Sequence, residues 1–173
     1  MNTRDGTMIL FNEDRVSNLL PNGGTLNYYG KVLPSREANQ YFNLLMQNIP
    51  WKNDEVILFG KHIVTKRKTA WYDDSDYLYT YSNIIKQALP WTKELLGLKQ
   101  MVEEFAEAKF NSCLLNLYHN GNEGMGWHSD DEKALGKNNT IASLSFGAER
   151  NFLFKHKQTK QIVSLVLEHG IYL

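Results

Sequence analysis

The sequence predicts an α+β fold. Two stretches in the amino-terminal part carry apolar residues at helical spacing, and a run of short strand-like segments follows the second of them. The composition is that of an ordinary globular chain, 42% hydrophobic and 22% charged over 173 residues. That length suffices to bury a core, and a typical domain of about 150 residues makes one domain the expectation.

Strand-like runs come first, at residues 7–11 and 26–33, with Asn22-Gly23-Gly24 as a turn between them. A helix follows: Pro34-Ser35 supplies entry and cap, Ala38, Phe42, Leu45 and Ile49 recur at helical spacing, and Pro50 stops it. Residues 55–59, 62–64 and 77–81 read as strands. The second helix is the clearest element, with Trp91, Leu95, Leu98, Val102 and Phe105 forming one apolar stripe whose ordinary use is to cover a sheet. Strands are then expected at 113–118, 140–146, 151–154 and 162–167. No internal repeat and no Pro/Ser-rich linker interrupts the chain.

Charge and cysteine content exclude several classes. Lys plus Arg and Asp plus Glu both number 19, so the net charge is zero and wholesale polyanion binding through net charge is not expected. No apolar run approaches the roughly 18 residues of a membrane span. The apolar stretch 8–11 is too short and too polar-flanked for a signal peptide, which makes the cytoplasm the expected compartment, or the nucleus for a eukaryotic source. Cys113 is the sole cysteine, so neither an internal disulfide nor a thiolate zinc cage can form, and any metal must use His and carboxylate. Asp73, Asp74 and Asp76 do not make a calcium loop, because Leu78 stands where that loop needs Gly.

The sharpest local feature is Trp127-His128-Ser129-Asp130-Asp131-Glu132. In extended backbone, residues two apart point to the same side, so His128 and Asp130 could grip one ion; with a further His such a pair makes the facial triad of non-haem Fe(II) sites. The plain alternative is an exposed turn with a solvated acidic cluster. Upstream, Asn116 and Tyr118 share one face of a strand and need a donor or acceptor there, which a bound carboxylate or simply water would provide. The glycine-rich loop 121–126 lacks the order of a dinucleotide or phosphate fingerprint.

Taken together, Asn116-Leu117-Tyr118, His128-Ser129-Asp130-Asp131-Glu132 and Ile141-Ala142-Ser143-Leu144-Ser145-Phe146-Gly147 resemble the AlkB family of Fe(II)/2-oxoglutarate dioxygenases, in its eukaryotic-type DNA-repair branch. Upstream, Thr69-Ala70-Trp71-Tyr72 and Tyr79-Thr80-Tyr81-Ser82 resemble that branch too, and the similarity spans about residues 55–170. It implies a double-stranded β-helix, or jelly-roll, with the two helices packed on one sheet. The single domain 1–173 would then divide into an extension with the first helix (1–54), a nucleotide-recognition segment (55–90), and the second helix with the jelly-roll core (91–173). The implied activity is oxidative removal of N-alkyl groups from bases in DNA, or RNA, by a monomer using Fe(II), oxygen and 2-oxoglutarate. His128 and Asp130 would be iron ligands, Asn116 and Tyr118 would hold 2-oxoglutarate, and Asp131 and Glu132 would lie near the target base, Asp131 in a catalytic position.

A duplex base must leave its stack to reach such a pocket, and aromatic side chains replace the lost stacking. Trp71, Tyr72, Tyr79 and Tyr81 are the candidates, with Arg67 beside them, although Tyr and Trp are favoured in strands anyway. Two basic clusters, Lys61, His62, Lys66, Arg67 and Lys68, and Lys155, His156, Lys157 and Lys160, flank hairpin-like strands and could meet phosphates. His62, His119 and His156 need no function.

For a third iron ligand, spacing alone nominates His169. The resemblance instead reads Leu167-Glu168-His169-Gly170 as a turn before a strand that leads to a later His and an Arg for 2-oxoglutarate, both beyond Leu173. A shortened chain is therefore expected. Alternatives are a catalytically incompetent nucleic-acid-binding module and an oxygenase acting on another substrate class.

Overall fold

The computed structural model describes residues 18–58, 60–75, 78–81, 84–130 and 139–173. The expected strand at 7–11 lies outside them. The described residues form two helices and ten strands, paired antiparallel in small sheets, in agreement with the α+β reading. Two compact units emerge, one from the chain up to Ala38 together with Ser143–Leu173, the other from Asn39–Ala142.

In the first unit, β1 (Gly30–Lys31), β10 (Ile171–Tyr172) and β7 (Leu144–Ser145) make a three-stranded sheet in the order β1-β10-β7. β8 (Arg150–Lys155) and β9 (Ile162–Leu167) form a hairpin. Leu26, Leu167, Ile171 and Leu173 are the buried core, and Tyr29 stacks on Tyr172 at 4.8 Å. The strands expected at 26–33 and 140–146 shrink to two residues each. Near the first, Asn18 draws the chain into a loop instead: its Oδ1 accepts the Leu20 and Leu26 N–H groups and its amide donates to the Gly24 carbonyl.

Gly170 turns the chain into β10. Its φ is +78°, and a Cβ there would meet the Leu33 carbonyl at 3.2 Å and the Ala38 Cβ at 3.3 Å. Left-handed backbone alone costs a residue with a Cβ about 1–2 kcal/mol. Gly170→Ala is therefore expected to lower stability by at least about 1–2 kcal/mol, read as a shifted urea midpoint at unchanged slope.

α1 (Ser35–Asn48) leads out of the first unit with its predicted stripe: Ala38 is fully buried, Phe42 and Leu45 are partly buried, and Ile49 just beyond the helix is buried. In the second unit α2 (Lys93–Ala106) starts after the Thr92 cap, whose Oγ1 accepts the Leu95 N–H at 3.3 Å. It buries Leu95, Leu98 and Val102.

The sheet of this unit runs β2 (Lys52–Leu58), β3 (Lys61–Asp73), β6 (Ser112–Leu117), with β3 in the middle. β4 (Leu78–Tyr81) and β5 (Ile84–Gln87) form a separate hairpin. β3 extends nine residues past the expected 62–64, because its second half finds a complete partner in β6, from Lys68 opposite Leu117 to Asp73 opposite Ser112. Between β2 and β3 the register shifts: Asn53 faces Lys68 and Glu55 faces Val64, which leaves Asp54 alone opposite Thr65, Lys66 and Arg67. The bulge is held by Asn53 Nδ2 donating to the Thr65 carbonyl at 2.8 Å and by the Thr65 hydroxyl donating to the Arg67 carbonyl at 3.0 Å. Such bulges re-aim side chains, and this one sets the geometry of the site.

Candidate metal and co-substrate site

β6 carries the first part of the site. Its burial alternates as expected, with Leu114 and Asn116 on the exposed face and Cys113, Leu115 and Leu117 on the partly buried one. Burial pushes the Cys113 thiol up to about 11 and keeps it protonated at neutral pH, so it is no nucleophile. Tyr118, one residue past β6, is partly buried.

Asn116 is held by Arg67. Nη1 of Arg67 donates to Asn116 Oδ1 at 2.7 Å and also contacts Met125 Sδ at 3.1 Å, while Nη2 pairs with Asp54 Oδ2. Arg67 is 6% exposed and Asp54 1%. The bulge brings both groups inside the sheet layer, where each charge needs the other. Arg67 was expected beside substrate as part of a basic cluster; its guanidinium is instead committed to Asp54, Asn116 and Met125. Within that cluster His62 bonds Glu55 at 2.7 Å on the exposed edge, and Lys61 and Lys66 stay at the surface.

The loop from His119 to Trp127 joins β6 to the His-x-Asp pair. Glu123 closes it: its carboxylate accepts the His119 N–H at 2.9 Å and bonds the His119 ring at 3.0 Å. These contacts, the backbone N–H foremost, hold the Glu123 carboxyl below its ordinary value. A depressed carboxyl contributes stability that is complete above the ordinary value of 4.5 and is lost as pH falls through the lower folded value. Amide protection across the loop should therefore fall on acidification, and Glu123→Gln should flatten that dependence in hydrogen exchange. Beside the loop, Thr65, Lys66, Arg67, Asn122, Glu123 and Gly124 line a pocket of about 200 Å³.

His128 and Asp130 lie in irregular backbone rather than on a strand. Their side chains nevertheless converge, with His128 Nε2 3.8 Å from Asp130 Oδ1 and both partly open to solvent. His128 Nδ1 lies 3.0 Å from the Gly126 carbonyl. A carbonyl can only accept, so a hydrogen bond here needs the ring proton on Nδ1, and in that neutral tautomer the Nε2 lone pair is on the side of the carboxylate. That is the arrangement of a metal-binding imidazole with its outer hydrogen bond in place. A nitrogen and a carboxylate oxygen suit a divalent iron ion. Among the described residues no group of three His, Cys, Asp or Glu side chains gathers to hold a metal.

Of the other expected site residues, Tyr72 is 2% exposed and packs near Trp91, which withdraws it from base stacking. Trp71 is partly buried, with Nε1 donating to Ser112 Oγ at 2.6 Å. Tyr79 and Tyr81 stand two apart on β4, where they pair with Lys86 and Ile84. Asp131 and Glu132 lie outside the described residues. His169 Nδ1 accepts the Gly147 N–H at 2.9 Å, a contact that secures the turn after β7. The second basic cluster surrounds the β8–β9 turn, where the His156 ring accepts the Thr159 N–H and Lys160 Nζ donates to the Lys157 carbonyl. Sequence reasoning missed Asp54, Glu123 and Met125: no local pattern marks them, because only the register shift and loop closure bring them to the site.

The chain matches the family model of the 2OG-Fe(II) oxygenase superfamily over residues 25–173. It is 39% identical over 148 residues to alpha-ketoglutarate-dependent dioxygenase alkB homolog 3 of Bos taurus, covering 80% of this chain and 51% of that protein. With the Homo sapiens protein of the same name it shares 38% over 155 residues, covering 84% and 54%. With the DNA oxidative demethylase ALKBH2 of Mus musculus it shares 35% over 153 residues, covering 82% and 64%. The chain thus spans about half the length of the first two of these relatives.

Proposed function

Because this chain belongs to the 2OG-Fe(II) oxygenase superfamily, we propose that it serves oxidative removal of N-alkyl groups from nucleic-acid bases, as an AlkB-like jelly-roll domain that uses Fe(II), oxygen and 2-oxoglutarate. The observation that carries the reading is His128, its Nδ1 engaged by the Gly126 carbonyl and its Nε2 turned to Asp130 at 3.8 Å. The iron and its co-substrate supply the oxidising power for hydroxylating an inert N-alkyl carbon. The protein's residues supply position. His128 and Asp130 hold the metal, the Gly126 carbonyl keeps the imidazole in its ligating tautomer, and Asn116 and Tyr118 present a donor and a phenol to the co-substrate's carboxylate.

Substrate recognition in this reading falls to Trp71, Tyr79 and Tyr81, which offer aromatic faces to an extruded base, and to Asp131 and Glu132, which offer acceptors to its edge. Lys61 and Lys66 on the β2–β3 hairpin, and the lysines of the β8–β9 turn, meet phosphates. The names of the relatives, a dioxygenase and a DNA oxidative demethylase, support this substrate class.

The test is to incubate the full-length protein with Fe(II), 2-oxoglutarate and single- or double-stranded oligonucleotides bearing N-methylated bases. Succinate and unmodified base should rise in equal amounts. Succinate without base restoration would overturn the substrate, and absence of both would overturn the activity.

A further inference from the structure

Resting on that reading, we propose that Asp54 and Arg67 are positioning residues that fix the direction of the Asn116 amide, so that its N–H groups face a carboxylate ligand. A side-chain amide on an exposed strand position has two nearly isosteric orientations, one presenting an acceptor and the other two donors. Here one orientation is excluded. Arg67 carries only donors, so the Asn116 atom that faces Nη1 at 2.7 Å must be the oxygen. A flip would set N–H against N–H. Nδ2 is thereby turned away from the arginine as a donor pair, matched to an acceptor-only group such as the carboxylate of a 2-oxo dicarboxylic acid.

Arg67 can impose this direction only if it cannot move. Asp54, 1% exposed, takes Nη2; Met125 Sδ lies 3.1 Å from Nη1; and the bulge that opposes Asp54 to Thr65, Lys66 and Arg67 aims both charges at each other. The Asp54 charge also offsets that of Arg67, so ligand discrimination rests on the amide's hydrogen bonds rather than on a free cation. Met125 stands one residue before Gly126, whose carbonyl holds His128, so the same guanidinium touches both the strand bearing Asn116 and the loop bearing the metal pair.

The experiment titrates the full-length protein with 2-oxoglutarate in the presence of Mn(II), which occupies the metal position without turnover, following tryptophan fluorescence, and titrates Mn(II) separately. Asp54→Asn removes the anchoring charge. The double variant Asp54→Leu with Arg67→Met removes both charges and leaves neither buried alone, so it tests the idea even if the single variant unfolds. Asn116→Asp keeps an acceptor for Arg67 but has no donor. We expect the 2-oxoglutarate Kd to rise about tenfold in the double variant and more in Asn116→Asp, with Mn(II) affinity and Tm near wild type in the double variant. An unchanged 2-oxoglutarate Kd in the double variant, or an equal weakening of Mn(II), would overturn the positioning role. Failure of the wild-type protein to bind 2-oxoglutarate would overturn the underlying functional reading instead.

Discussion

Asp130→Ala and His128→Ala are each expected to weaken Fe(II) binding by roughly 100-fold or more and to abolish 2-oxoglutarate turnover. Loss of an outer-shell partner of a metal ligand already costs about 10–100-fold, and on the proposed reading these substitutions remove the ligand itself. Either change should leave the fold intact, because both side chains are partly open to solvent and bear little packing. His169→Ala makes the informative contrast. Its ring secures the turn at Gly147 and on the proposed reading is not a metal ligand, so the variant should lose stability but keep its Fe(II) affinity. The comparison is a metal titration of the three variants beside their urea midpoints. If His169→Ala lost Fe(II) binding as severely as His128→Ala, His169 would have to be counted among the ligands.

Asp54→Ala should be the most destabilising single change in the second unit, at about 3–5 kcal/mol. Its carboxylate is 1% exposed and faces a guanidinium that is itself 6% exposed, so truncation strands a buried positive charge. The penalty belongs to the orphaned Arg67 rather than to the lost attraction, which is why the double replacement Asp54→Leu with Arg67→Met should recover most of it. Against a total domain stability of about 5–15 kcal/mol the single change removes about a fifth or more of the margin. Urea denaturation of the single and double variants measures both statements. A single variant within about 1 kcal/mol of wild type would mean that water reaches the guanidinium and screens it.

The two predictions draw on features that differ in how visible they are in the sequence. His128 and Asp130 can be picked out by their spacing and neighbours, although the reason first assigned to that spacing, a shared strand face, is not how they converge: they meet in irregular backbone, with the imidazole turned by a carbonyl two residues upstream. Asp54 carries no such mark. It lies in an unremarkable polar stretch thirteen residues from Arg67, and only a register shift that gives β3 two extra residues opposite it makes the two side chains partners. The run Lys66-Arg67-Lys68 likewise reads as part of a basic cluster that could meet phosphates, yet Lys68 pairs with β6 and Arg67 is buried.

By itself the sequence determined what depends on near neighbours along the chain. The stripe Leu95, Leu98 and Val102 forms a buried helix face because helical periodicity is set by the backbone. Thr92 caps that helix through a hydroxyl three residues from its donor, and the alternation along β6 puts Asn116 and Leu114 on one face for the same local reason. Family membership was likewise legible, because it rests on the order of short motifs. Only the tertiary structure decided which of those residues act together. It withdrew Tyr72 and Arg67 from the surface, drew Asp54 and Met125 to Asn116, and closed the loop before His128 through Glu123. The physical reason is that burial and charge pairing depend on strand register and loop closure, which bring together residues separated by as few as 4 and as many as 58 positions and leave no regular spacing to read.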